Sequence, residues 1–230
     1  MKKILLVSGC SFTTDNFISM FHPEMDCSWE KWPHILAEKL DMTCINLAQS
    51  GSGNEFVYSS LIDKIESMDK SKIGLVIPAW SQCQRRDFQL HNRHNHPRWR
   101  AEMHDTFGDI QYWIKKSLRY YHSFQIYCEY NKIPYKQTQM IELYKDYLWE
   151  RCHPNYSDSI KASFDMILES PHYSKLNDKS FIGTPKIVSN VQNELTHGRK
   201  NDINFRVSKE DRHPNENGQK MIAEYIYENL

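Results

Sequence analysis

The stretch Lys3-Ile4-Leu5-Leu6-Val7-Ser8-Gly9-Cys10-Ser11 decides the fold. Consecutive aliphatic residues bounded by a glycine and a polar turn read as a strand buried on both faces, the kind found in parallel sheets covered by helices. Ser11 then falls just past the carboxyl end of that strand. The same start superficially resembles a bacterial lipoprotein signal ending at Cys10. A signal core runs to about 7 to 15 apolar residues, whereas only Ile4 to Val7 qualify here. The strand reading is therefore preferred. No other segment approaches the roughly 18 apolar residues of a membrane span, so the expectation is a soluble, cytoplasmic protein with no membrane partner.

Moving outward, residues Trp29 to Leu40 place Trp32, Ile35, Leu36 and Leu40 on one face at helical spacing, and a second strand follows at Thr43 to Leu47. That is a βαβ unit. Beyond the turn Ser50-Gly51-Ser52-Gly53-Asn54, Phe56, Val57, Leu61 and Ile65 predict a helix that returns to a third strand, Ile73 to Ala79. Strands alternating with helices predict an α/β fold, a three-layer α/β/α sandwich around a short parallel sheet. An aromatic-rich helix is predicted over Ile110 to Tyr130, a fourth strand over Tyr135 to Met140 after Pro134, and a last helix from about Glu216 to Asn229. The last helix carries Met221, Ile222, Tyr225 and Ile226 as its apolar stripe. The stretch from Gln82 to Asp109 is polar and reads as an irregular insertion, long enough to lie over or beside a site. Residues 141–200 look like mixed helix and loop, in which no element is placed.

At 230 residues the chain suits one domain, 1–230, that buries roughly 70% of its unfolded surface. Lys plus Arg balance Asp plus Glu at 29 each, which argues against a nucleic-acid or anionic-membrane partner and for a small or neutral molecule. Six cysteines without a CxxC pair suggest neither a zinc site nor a disulfide framework, and fit free thiols in a reducing compartment.

Ligands of parallel α/β sheets gather at the carboxyl ends of the strands, and Ser11, Gly51 and Ser81 each follow one. Far along the chain, Asp211-Arg212-His213-Pro214 precedes the last helix. A serine hydroxyl is a poor nucleophile unless a base takes its proton, and His213 is the candidate base. Taken alone, a serine after a strand is often only a turn or cap residue, and a His-Pro pair is often only a helix entry.

The joint pattern resembles the SGNH (GDSL-type) hydrolase superfamily. Gly9-Cys10-Ser11 matches its first block with Cys10 in place of the usual aspartate, Asn46-Leu47-Ala48-Gln49-Ser50-Gly51 resembles the second, and Asp211-Arg212-His213-Pro214 matches the last. The resemblance implies a serine esterase that forms an acyl-enzyme, needs no cofactor or metal, and acts on a small-molecule or carbohydrate ester, acetylated carbohydrates included. Ser11 would be the nucleophile and His213 the base, with the amides of Ser11 and Gly51 binding the oxyanion. Two departures stand out. The third block normally presents an asparagine after the third strand, where Pro78-Ala79-Trp80-Ser81 puts Ser81, so Asn54, Ser81 or Gln82 could supply that hydrogen bond. The acid normally lies three residues before the histidine, where this chain has Glu210, while Asp211 lies two before it. Either carboxylate could orient the imidazole. An acyltransferase and a non-catalytic binding or structural protein are the rival readings on the same fold.

Other residues carry weaker signals. Cys10 is a competing nucleophile by chemistry, but next to Ser11 at a strand end it is expected to face the sheet. His91, His94 and His96 lack an acidic or cysteine partner at a familiar metal spacing, which favours a solvated loop. Arg85, Arg86 and Asp87 lie close enough to the third strand to bind a polar substrate or to pair with one another. Trp80 and Trp99 could stack on a sugar ring.

Overall fold

The computed structural model describes residues 2–91, 97–103, 109–141, 143, 165, 167–182 and 203–230, with the backbone alone at 90, 91, 97–103 and 110. The first strand, β1 (Ile4–Ser8), is followed by α1 (Trp32–Lys39), β2 (Thr43–Asn46), α2 (Asn54–Glu66) and β3 (Ile73–Trp80). The chain continues through β4 (Arg85–His91), β5 (Pro97–Met103), α3 (Ile110–Tyr130), β6 (Gln137–Gln139), β7 (Phe181–Ile182) and α4 (Glu216–Glu228).

The main sheet has the order β2-β1-β3-β6-β7 and all its pairings are parallel. β1 lies between β2 and β3, with Ile4 opposite both Thr43 and Ile73. The chain leaves β1 for one side and returns on the other, which opens a crevice at the carboxyl ends of β1 and β3. Alternation along the strands sorts the core into two layers. Leu6, Val76 and Trp80 pack with Val57, Leu61 and Ile65 of α2 and with Leu118 and Tyr121 of α3. Leu5, Val7, Leu75 and Ile77 pack with Trp32 and Leu36 of α1 and with Ile222 and Ile226 of α4. Period-two strands covered by helices on both faces make the α/β/α sandwich that the sequence predicts.

Two segments differ from the sequence reading. Part of the stretch from Gln82 to Asp109, read as irregular, forms the antiparallel hairpin β4–β5, with Arg85 opposite Met103 and His91 opposite Pro97. Its inward side carries Asp87, a buried carboxylate, where a core-facing strand would carry an aliphatic. The second difference is β7, a fifth strand of two residues inside the stretch left without elements. Most of that stretch, together with Cys152 and with His94, His96 and His104, lies outside the described residues. The described cysteines, Cys10, Cys27, Cys44, Cys83 and Cys128, are free thiols. Among the described residues no helix is long and apolar enough to cross a membrane.

Candidate active site

After β1 the chain turns sharply, with the Thr13 and Thr14 amides both donating to the Cys10 carbonyl at 2.9 and 3.1 Å. Ser11 sits in this turn, half-buried. The turn is fastened on two sides. Asn46 Nδ2, at the end of β2, donates to the Thr13 carbonyl at 2.7 Å. Gln219 of α4 donates to the Phe12 carbonyl at 3.3 Å and accepts from the Trp32 amide at 2.9 Å, which joins the turn to the starts of α1 and α4. Cys10 is fully buried in the α1/α4 layer, so it turns away from Ser11 as the strand-end alternation predicts.

The segment before α4 delivers His213 to this turn. Ser11 Oγ lies 2.8 Å from His213 Nε2 although the two residues are 202 positions apart. His213 Nδ1 lies 2.6 Å from Asp211 Oδ1. The ring packs between Phe12 and Phe17, with centroid separations of 4.8 and 4.5 Å, which fixes its plane without competing for its nitrogens. Glu210 is exposed and receives a hydrogen bond from Ser208 Oγ at 3.2 Å. Of the two carboxylates left open by the sequence, Asp211 therefore meets the imidazole and Glu210 does not.

Asp211 is 1% exposed. Burial works to raise its pKa, but hydrogen bonds from the His213 ring, Ser19 Oγ and the His213 amide outweigh it and hold the carboxyl down at about 2. An ionised carboxylate only accepts, so Nδ1 must carry the ring proton of a neutral imidazole. Nε2 is then an acceptor aimed at the Ser11 hydroxyl, the arrangement that general-base activation of a serine requires. Ser19 Oγ donates to Asp211 Oδ2 at 2.5 Å and is itself fully buried. Sequence reasoning missed Ser19, because it sits in an irregular loop outside every motif.

The Gly51 turn approaches from the other side. Ser52 Oγ and the Gln49 amide both donate to the Gly9 carbonyl, at 2.8 and 3.1 Å, so this turn is hydrogen-bonded to the loop that carries Ser11. Gly51 has φ of +81°, in the region that side chains rarely adopt, and it is exposed. The next helix, α2, has Gly53 at its N-cap and so no capping side chain of its own. Asp87 of β4 supplies the cap, accepting from the Gly53 amide at 2.8 Å and the Phe56 amide at 2.9 Å. Burial pushes the Asp87 carboxyl above its usual range, with those two amides working against the rise. A Cβ on Gly53 would lie 2.7 Å from Arg85 Cβ and 2.8 Å from Asp87 Oδ2, so only glycine lets β4 come this close.

The residues proposed to replace the third-block asparagine fall differently. Asn54 is buried, and its Nδ2 donates to the Ser81 carbonyl and Ser117 Oγ at 3.1 and 3.0 Å, which commits both of its N–H bonds to the interior. Its Oδ1 accepts from the Ser81 amide at 2.7 Å. Asn54 is thus a core clamp on Ser81, and the sequence-based expectation of an oxyanion donor there is corrected. Ser81 is fully buried, and its Oγ accepts from Arg85 Nη1 at 2.9 Å. Gln82 is also buried. Arg85 Nη1 donates as well to the Ser52 carbonyl at 2.9 Å, which links β4 to the Gly51 turn.

Trp80 is corrected too. It is fully buried, stacked on Tyr121 with centroids 4.4 Å apart, and its Nε1 donates to Gln137 Oε1 at 3.0 Å. An indole locked in the core presents no face to a sugar. The side chain of Trp99 lies outside the described residues.

No protein-family model and no curated protein matches the sequence. Solved structures do match in fold. A protein assigned to the G-D-S-L lipolytic family from Desulfitobacterium hafniense DCB-2 aligns over 100% of both chains at 14% identity with a TM-score of 0.57. A psychrotrophic esterase from a Pseudoalteromonas species, whose structure is inhibited by monoethylphosphonate, aligns over 99% of this chain and 96% of its own at 15% identity and a TM-score of 0.51. A lipase from a goat rumen metagenome aligns over 99% and 97% at 11% identity and 0.55. The chain therefore has the fold of G-D-S-L lipolytic proteins and esterases, with Ser11, His213 and Asp211 in hydrogen-bonded sequence at the carboxyl edge of its sheet.

Proposed function

We propose that this protein is a serine ester hydrolase. The observation that carries the reading is the hydrogen-bonded series Ser11 Oγ, His213 Nε2, His213 Nδ1, Asp211 Oδ1. Ser11 Oγ attacks the ester carbonyl as its proton passes to His213 Nε2, and Asp211 stabilises the imidazolium that forms. The Ser11 and Gly51 amides receive the negative charge that develops on the carbonyl oxygen. His213 then gives the proton to the departing alkoxide, leaving Ser11 acylated. In the second half-reaction His213 deprotonates a water, which attacks the acyl-enzyme and releases the acid and free Ser11. Ile18, Met20 and Phe21 are exposed on the loop that carries Phe17 and Ser19, an apolar rim suited to the carbon chain of an ester. Acetylated carbohydrates and short aryl esters are the first substrates to screen.

The test is covalent. An activated fluorophosphonate should label the folded protein at Ser11 by mass spectrometry, and 4-nitrophenyl acetate should turn over. A folded sample that neither labels nor turns over would replace this reading with that of a binding protein on a hydrolase fold.

A further inference from the structure

The hydrogen bonds that hold Asp211 close into a ring, and His22 is the residue that closes it. Its backbone amide donates to Ser19 Oγ at 3.0 Å, and Ser19 Oγ donates to Asp211 Oδ2. Its side chain serves the other end of the same aspartate, because His22 Nε2 lies 2.9 Å from Ser208 Oγ, and that oxygen accepts from the Asp211 amide at 2.9 Å. We infer that His22 is a positioning residue, which acts through Ser19 and Ser208 to hold the Asp211 carboxylate against the His213 ring. Its effect on turnover rests on the hydrolase reading above; its effect on the orientation of the ring does not.

Both loops joined by this ring lack regular structure. Residues 11–31 and 207–213 contain neither helix nor strand, so side-chain hydrogen bonds do the work that a ladder of backbone bonds does elsewhere. The second loop is closed on itself. The Val207 amide donates to the His213 carbonyl at 2.9 Å, and the Ser208 amide donates to the Asp211 carbonyl at 3.1 Å. Ser208 and Asp211 are thus bonded in both directions, and a displacement of Ser208 carries Asp211 with it. The first loop alternates. Phe17 and Ser19 are buried against the base and the acid, while Ile18 and Met20 between and after them are exposed. With His22, one short loop reaches the imidazole ring, the carboxylate and the brace behind the carboxylate.

Orientation, more than stability, is what the His22 side chain contributes. Asp211 Oδ1 bonds to the ring and the amide of His213, contacts within one short turn that move with it. The ties through Ser19 and Ser208 reach outside that turn. His22 and Ser208 are both half-buried, so water can replace the hydrogen bond between them, and Ser208 Oγ keeps the Asp211 and Glu210 amides as donors. What water cannot replace is the fixed distance between the loops. Misplacing a reacting group by about 1 Å can cost about a hundredfold in rate.

The experiment uses the full chain and two readouts. The downfield proton resonance of His213 Nδ1–H, bonded to Asp211, reports the orientation of the ring without turnover, and steady-state kinetics with 4-nitrophenyl acetate report kcat and KM. His22→Phe keeps a flat ring without its nitrogens, whereas His22→Gln keeps a donor and an acceptor near the place of Nε2. His22→Phe should move or broaden the resonance and lower kcat by about tenfold to a hundredfold with KM nearly unchanged. His22→Gln should restore most of both. Ser208→Ala should act as His22→Phe does, and the double variant should lose no more than the weaker single variant, because the two residues act through one link. A folded His22→Phe that melts earlier yet keeps the resonance and kcat makes the ring purely structural and overturns the inference. Ser208→Ala decides by the same criterion if His22→Phe does not fold, as judged by circular dichroism. Should the unmodified protein show the resonance but turn over no ester, the hydrolase reading fails, and the resonance in the variants alone decides whether His22 orients the imidazole.

Discussion

Ser19 and Asp211, 192 positions apart, share a buried hydrogen bond of 2.5 Å that occupies the carboxylate oxygen facing away from His213. Asp211 thus has Oδ1 committed to the imidazole and to the His213 amide, and Oδ2 committed to Ser19. Ser19→Ala would strand a buried carboxylate oxygen, at a cost of about 1 to 3 kcal/mol of stability. It would also free the carboxylate to rotate, lowering kcat by roughly tenfold for each 1.4 kcal/mol of lost orientation. Steady-state kinetics should show KM nearly unchanged and partial recovery in Ser19→Thr. A lower melting temperature with an unaltered kcat would make Ser19 purely structural.

The two carboxylates before His213 should separate cleanly. Asp211→Asn should lower kcat by about 10⁴, because an amide in place of the carboxylate favours the wrong imidazole tautomer. Glu210→Gln, an exposed change with no contact to the ring, should stay within about threefold. Equal losses in the two variants would mean that the acid has been misassigned.

Adjacent residues at the end of β1 should behave oppositely. Ser11→Ala should reduce ester turnover by about 10⁴ to 10⁶ while leaving the melting curve in place. Cys10→Ala removes a buried thiol from the α1/α4 layer, so it should cost about 1 kcal/mol of stability and keep turnover. Loss of activity in Cys10→Ala with retention in Ser11→Ala would transfer the nucleophile to the thiol.

Asp211 also predicts an acid limit to stability. Its folded pKa of about 2 is depressed below the ordinary 3.8, so its ionisation stabilises the fold fully above that ordinary value. The contribution, about 2 kcal/mol, is lost as pH falls from about 4 to about 2. Urea titrations across that window should show a steeper loss in the unmodified protein than in Asp211→Asn. Parallel slopes would remove Asp211 from the account of acid unfolding.

A fifth test concerns the borrowed cap. Asp87→Ala leaves the Gly53 and Phe56 amides without an acceptor and should cost about 1 to 2 kcal/mol, with Asp87→Asn costing less. Urea unfolding measures both, and no change in either variant would show that water replaces the carboxylate freely.

The sequence made legible the elements whose burial follows a simple period. Ile4 to Val7 announce a two-sided strand, and Leu61 with Ile65, or Ile222 with Ile226, announce helices against a sheet. The hairpin was not legible, because the inward position of β4 carries Asp87, which meets helix amides instead of aliphatics. β7 was hidden by its length of two residues. In the site, Ser11 and His213 could be read from short blocks in chain order, and the tie between them required only the expected fold. The choice between Asp211 and Glu210 needed coordinates, since one residue of offset decides which carboxylate reaches Nδ1. Asn54 and Trp80 misled for a shared reason. Both stand close in sequence to site residues, yet side chains at helix starts and strand ends can turn inward as readily as outward.

The hairpin that follows β3 is therefore not an ornament that could be trimmed to a tight connection. Shortening it would withdraw the Asp87 carboxylate from the head of α2 and the Arg85 guanidinium from Ser52 and Ser81 at one stroke. The turn bearing Gly51 would then be tethered mainly through the Gly9 carbonyl. In evolutionary terms, the insertion and the turn it braces would have to change together.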